Sequence, residues 1–179
     1  EKQMSKKGLY GVVLVDVAVL AGCAMTPEYA RGIEVAAEAA PQVDLKGSRV
    51  LLTGGSGFLG KAVRRVLTER GTKEILTPTS AEVDLRDAGE VDTLFATEQP
   101  DVVIHLAARV GGIGANMEHP ADLYLDNLLM GTFVLDAARI AARSGCHAVI
   151  ASGVRPGTLG RILDGEEEGA WVPAKPGMP

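Results

Sequence analysis

Arg49-Val50-Leu51-Leu52-Thr53-Gly54-Gly55-Ser56-Gly57-Phe58-Leu59-Gly60 is the stretch from which the rest of this chain can be read. An apolar run leads into glycines spaced three apart at positions 54, 57 and 60. It continues into Lys61-Ala62-Val63-Arg64-Arg65-Val66-Leu67, whose apolar members recur at helical spacing. The reading is a buried strand, a tight turn and a helix. Gly54 permits the turn, Gly57 a close approach of backbone to a ligand, and Gly60 close packing of helix on strand. Backbone N–H groups at the helix start then face a pyrophosphate, with the positive end of the helix dipole behind them. The spacing alone is common. The strand before it and the helix after it make a dinucleotide the expected ligand.

Downstream, a helix over 58–70 is expected to stop at Gly71. Glu74 to Thr77 reads as a short second strand, and Pro78-Thr79-Ser80 as the loop that meets the adenosine ribose. That loop carries no acid to bond a 2′-hydroxyl, and Thr77, Thr79 and Ser80 can coexist with a 2′-phosphate, so NADP is expected over NAD, although no arginine lies in the loop. Asp87 is a good cap for a helix near 88–97. Val102 to Leu106 is a continuous apolar run suited to a buried parallel strand. Strands and helices alternating at these intervals predict an α/β fold with a doubly wound parallel sheet, its ligand at the carboxyl ends of the strands. Ala107 to Gly114 would leave the sheet on that side. A long helix over about 121–142 follows, with Leu123, Leu128, Phe133, Leu135 and Ile140 as core positions and Asn127 either exposed or aimed at the site. Cys146 to Ser152 reads as the next strand. From Gly153 glycine and proline recur and Glu166-Glu167-Glu168 forms an acidic run, so 153–179 is expected to be an irregular or disordered tail and the sheet to be truncated after about its fifth strand.

Upstream, residues 1–47 form an N-terminal extension. Within it, 5–23 resembles a signal segment: Lys6 and Lys7, an apolar core from Gly8 to Val19, then Leu20-Ala21-Gly22-Cys23, similar to the lipobox of bacterial lipoproteins. Asp16 lies inside that core, where a charge is costly in a membrane. The alternatives are an extra buried strand or helix, or an upstream extension ahead of Met25. A helix over about 27–40 has Thr26 as N-cap, Pro27 at its first position, and Tyr29, Ile33 and Ala36 on one face.

At 179 residues, 46% hydrophobic and 23% charged, the chain is long enough for one domain with a proper core and too short for a second. A formal net charge of -5 with scattered lysine and arginine excludes a nucleic-acid surface. Cys23 and Cys146 are far apart and have neither metal-ligand nor disulfide-framework spacing. No metal is expected. A reducing, cytoplasmic setting is the default; tethering to a membrane through Cys23 is the alternative.

Thr53 to Gly60, Asp84-Leu85 and His105-Leu106-Ala107-Ala108, in this order, resemble the extended short-chain dehydrogenase/reductase family of nucleotide-sugar epimerases and dehydratases. Ala107 to Asn116, with His119-Pro120-Ala121-Asp122 and Asp126 to Thr132, is similar to its GDP-L-fucose synthase branch. The resemblance covers Arg49 to Ser152, so 48–152 is the expected dinucleotide-binding, Rossmann-like domain. It implies an NADP-dependent enzyme that converts GDP-4-keto-6-deoxymannose to GDP-L-fucose by two epimerisations and a hydride reduction. By the same resemblance Gly54, Ser56, Gly57, Phe58, Leu59 and Gly60 line the pyrophosphate. Asp84 and Leu85 meet the adenine, Ala107 and Ala108 the adenine ribose side, and Asn127 the region beneath the nicotinamide. Val110, Gly111, Gly112 and Ile113 border a nucleotide-sugar substrate.

The family's proton-transfer pair, Tyr-x-x-x-Lys, is missing. Tyrosines stand only at 10, 29 and 124, and four residues further on come Leu14, Ile33 and Leu128. Ser152 is the nearest match to the family's serine, and the sugar-nucleotide domain that should follow is absent. The expectation is therefore a cofactor-binding part of such an enzyme, inactive alone. The alternatives are a non-catalytic dinucleotide-binding module and another nucleotide-sugar epimerase or dehydratase. Strands lost after the fifth would leave apolar surface open, which predicts a homo-oligomer.

Overall fold

The computed structural model describes residues 11–16, 43–111, 113–141, 148–152, 156–166 and 169–172. In chain order they form β1 (Gly11–Asp16), β2 (Arg49–Thr53), α1 (Phe58–Glu69), β3 (Glu74–Leu76), α2 (Ala88–Glu98), β4 (Val102–His105), α3 (Ile113–Glu118), α4 (Pro120–Ala141), β5 (Ala148–Ser152), α5 (Thr158–Leu163) and β6 (Ala170–Val172). The described strands make one sheet in the order β3-β2-β4-β1-β5-β6. All pairings are parallel except that of β6 with β5.

Alternation along the two central strands builds a core on each face. Leu51 and Val103 point to one side, where Val91 and Phe95 of α2 and Met130, Val134, Ala137 and Ala138 of α4 cover them. Val50, Leu52, Val102 and Ile104 point to the other, against Val63 and Leu67 of α1 and Leu163 of α5. Strands buried on both faces need apolar residues at every position, which is why 50–52 and 102–104 read as continuous runs. The elements expected from Arg49 to Ser152 are all present. The doubly wound α/β architecture places the turns after β2, β3 and β4 at one end of the sheet.

The structure departs from the sequence reading in three places. Gly11–Asp16, inside the signal-like segment, forms a strand between β4 and β5, with Leu14 in register with His105 and Asp16 with Ser152. This is the extra-strand alternative. A Val/Leu-rich run is as good a central parallel strand as it is an apolar leader. Cys23 and the helix expected over 27–40 lie outside the described residues.

The second departure is in the tail. Thr158–Leu163 is helical and Ala170–Val172 adds an antiparallel strand to β5, so the sheet does not stop at its fifth strand. Ile162 and Leu163 are buried, Val43 N–H donates to Leu163 C=O, and Arg70 forms a two-point ion pair with Asp164. Six residues of helix carry too little periodicity to outweigh the surrounding glycine and acid. Gly169, at φ +77°, brings the chain so close to β5 that a Cβ would stand 2.3 Å from the Ile150 oxygen; only glycine permits that approach.

Third, two of the five core positions expected on α4 face solvent. Leu123 is buried and Phe133 and Leu135 are partly so, but Leu128 is 50% and Ile140 60% exposed. Met130, Val134 and Ala137 join Leu123, Phe133 and Leu135 on the core side. The helix carries apolar residues on both faces, so periodicity alone could not choose between them.

Candidate functional site: the turn after β2 and the loops beside it

Gly54 has φ +70° and its C=O accepts from Gly57 N–H at 3.0 Å, closing the turn. A Cβ on Gly60 would lie 2.1 Å from the Gly54 oxygen, and one on Gly54 would lie 2.7 Å from the Ala107 nitrogen. The first and third glycines are thus required by the packing of the turn against α1 and against the exit of β4. Gly57 is the N-cap of α1, without a side-chain cap, and the first turn holds no acid. Its leading N–H groups have no intrahelical acceptor and meet no competing carboxylate on the helix. Ser56, Phe58 and Leu59 around them are exposed, Phe58 at 97%. These features fit an anionic pyrophosphate.

Beneath the turn, Thr53 and His105 end β2 and β4 side by side. Thr53 Oγ1 lies 2.7 Å from His105 Nδ1 and accepts from Ala107 N–H at 3.3 Å, while Leu106 N–H donates to Thr53 C=O at 3.2 Å. Both side chains are buried. Sequence reasoning passed over this pair, although two polar residues at the same place in two apolar runs were a usable signal.

The loop after β3 is shaped by Glu82. Its carboxylate accepts from Thr79 N–H and Thr79 Oγ1, both at 2.8 Å, and Thr79 C=O accepts from Glu82 and Val83 N–H. These bonds hold the Glu82 carboxyl below the usual range, first through the Thr79 backbone N–H. Glu82 thus folds back onto the loop after β3, with its carboxylate committed to Thr79.

Asp84 follows. Its two oxygens take Arg86 Nε at 2.9 Å and Nη2 at 2.7 Å, and the Arg86 side chain brings the carboxyl down to about 2. Leu85 is buried in the core. Arg86 Nη1 also reaches Asp126 of α4 at 3.4 Å, and Asp126 binds Arg109 at 2.5 Å. Arg109 first, then the positive charge of Arg86, keep Asp126 lowered. The neighbouring Asn127 clamps the backbone of Arg109: Oδ1 accepts its N–H at 2.7 Å and Nδ2 donates to its C=O at 2.9 Å.

Ala107 is partly buried, and Ala108 and Val110 are exposed beside it. Gly111 is partly buried, Gly112 lies outside the described residues, and Ile113 opens α3. The structure thus gathers Gly54, Gly60 and Ala107 at one point, and Asp84 and Asn127 at two ends of one polar network. Ser152 is set apart. It ends β5, and because β1 intervenes its strand stands two spacings, roughly 10 Å, from β4. Among the described residues no helix is long and apolar enough to cross a membrane.

The model of the NAD dependent epimerase/dehydratase family matches residues 50–156, more than half of the chain. The chain belongs to that family. Among its curated members, the probable GDP-L-fucose synthase 1 of Oryza sativa subsp. japonica is 42% identical over 93 residues, covering 52% of this chain and 28% of the relative. The GDP-L-fucose synthase of Escherichia coli K12 is 40% identical over 90 residues, covering 50% and 28%. Solved structures similar to it include a GDP-L-fucose synthetase from Naegleria fowleri bound to NADP, with a TM-score of 0.51 and 30% identity over 65% of this chain and 34% of that one. Another is a GDP-mannoheptose C4 reductase from Campylobacter jejuni with NADP bound, with a TM-score of 0.51 and 26% identity over 57% and 32%. The chain therefore spans about a third or less of the length of these family members. The likeness supports a nicotinamide dinucleotide as the cofactor type and a Rossmann-like sheet to hold it.

Proposed function

We propose that this chain is the dinucleotide-holding part of a GDP-L-fucose synthase-like epimerase/reductase of nucleotide sugars, with NADP as cofactor. The observation that carries the reading is the uncapped start of α1 behind a turn that only glycine can close against Ala107. When bound, the cofactor supplies the hydride for reduction of a keto sugar. The chain's own contribution is to seat the pyrophosphate on the N–H groups of α1 and to border the nucleotide with Asp84, Ala107 and Ala108. Val110 to Ile113 would border the substrate, GDP-4-keto-6-deoxymannose in the reading favoured here. Cysteine usage supports a cytoplasmic setting.

Turnover by this chain alone is not expected. The exposed Tyr124 has Leu128, not lysine, one helical turn on, and Ser152 is two strands from β4. Purified chain titrated with NADPH and NADH should enhance nicotinamide fluorescence, more tightly for NADPH, without oxidising it when the keto-sugar nucleotide is added. Fluorescence unchanged by either dinucleotide would remove the reading. A second reading, a non-catalytic dinucleotide module, is favoured by the elements after β5: α5 packs on β5 and beside α1, and β6 pairs with β5. Binding without oxidation, persisting when any separately encoded sugar-nucleotide domain is supplied, would select it.

A further inference from the structure

Asp126 and Asn127 are consecutive on α4, and between them they hold two loops at the ligand end of the sheet. Asn127 bonds both backbone groups of Arg109 and also donates from Nδ2 to Leu123 C=O at 2.8 Å. Those three bonds fix the amide orientation, since the acceptor must face an N–H and the donor two carbonyls. Asp126, whose side chain is only 14% exposed, takes the Arg109 guanidinium on one side and Arg86 on the other, and Arg86 is forked onto Asp84. The segment leaving β4 (Ala107 to Gly111) and the segment entering α2 (Asp84 to Arg86) are thus tied to one helical turn. Asp84 in one segment and Ala107 and Ala108 in the other belong to the adenosine half of the site under the proposed reading, on which this inference rests.

We infer that Asp126 and Asn127 are positioning residues for the adenosine half of the dinucleotide, Asn127 acting through the backbone of Arg109 and not by touching the nicotinamide. Its amide is already committed to three protein partners. A side chain beneath the nicotinamide would instead affect only ligands that possess that ring.

The test uses the full chain with two probes, NADPH and 2′,5′-ADP, the latter lacking the nicotinamide half. Asn127→Asp keeps the shape but turns an acceptor toward the Arg109 and Leu123 carbonyls. It should weaken both probes by the same factor, tenfold or more. In the ligand-free protein it should speed hydrogen exchange at the amides of 107–111 while those of β2 and β4 stay protected, which also reports that the variant has folded. Asp126→Asn should weaken both probes equally by a smaller factor. Loss of NADPH affinity with 2′,5′-ADP unaffected would overturn the inference in favour of a direct contact, and unchanged binding of both would overturn it outright. Failure of the unsubstituted chain to bind either probe would overturn the functional reading and this inference with it, a pattern distinct from either variant result.

Discussion

Thr53 and His105 meet at 2.7 Å across the carboxyl ends of β2 and β4, buried under the glycine turn. The hydroxyl that faces the imidazole also accepts from Ala107 N–H, so one oxygen sets the height of the β4 exit relative to the turn. Thr53→Val keeps the volume and removes that oxygen. Leaving a buried polar group without its partner costs about 1–3 kcal/mol. Urea unfolding should show a loss in this range with the slope unchanged, and dinucleotide affinity should fall. A midpoint equal to that of the unsubstituted chain would show that the hydroxyl holds nothing.

Gly60→Ala tests the closeness of α1 to the turn. The new Cβ would lie 2.1 Å from the Gly54 oxygen and 2.6 Å from Gly55 Cα, both backbone atoms that cannot swing aside. Overpacking of this kind costs about 1–3 kcal/mol. Thermal melting should drop and nicotinamide fluorescence enhancement should disappear. Gly114→Ala, which meets nothing within 4 Å, serves as the matched substitution with little effect.

The Asp84 carboxyl, brought down to about 2 by Arg86, has a pH signature. A depressed folded-state pKa means that the unfolded chain binds more protons, so the contribution to stability is present above the ordinary carboxylate pKa near 4 and lost as pH falls toward 2. Carboxyl-carbon NMR should place the Asp84 midpoint well below that of a typical aspartate. Arg86→Gln should return it toward the normal value.

α4 exposes Tyr124, Leu125, Leu128 and Ile140. Apolar surface of this extent supports self-association, so light scattering should find a homo-oligomer at micromolar concentration. Leu128→Lys together with Ile140→Lys should give monomer, at a stability change within about 0.5 kcal/mol per site because both positions are already in solvent. A monomeric unsubstituted chain would contradict this.

How far the fold was legible depended on whether a residue's signal was local. Gly54, Gly57 and Gly60 announced their turn because its geometry is set within seven residues, and Asp87 announced a helix start that its carboxylate does cap, at 2.8 Å to Gly89 N–H and 3.1 Å to Glu90 N–H. Leu128 and Ile140 misled because α4 is apolar on both faces and the choice of face is made by α2. Glu82 was missed on the loop after β3 because it folds back three residues. The commitment of Asn127 to Arg109 spans 18 residues and leaves no local trace. The same holds for β1, whose pairing partners lie at Val102 to His105 and Ala148 to Ser152.

That last separation has a consequence for the making of the protein. Val12 pairs with Ala148, so at ordinary synthesis rates of roughly 5–20 residues per second the strand waits on the order of ten seconds before its second neighbour has been translated. For that interval one edge of an apolar strand lies open to chaperones and targeting factors. Its placement becomes a race between those factors and late strand insertion, and the contacts of longest sequence separation should be the last to form.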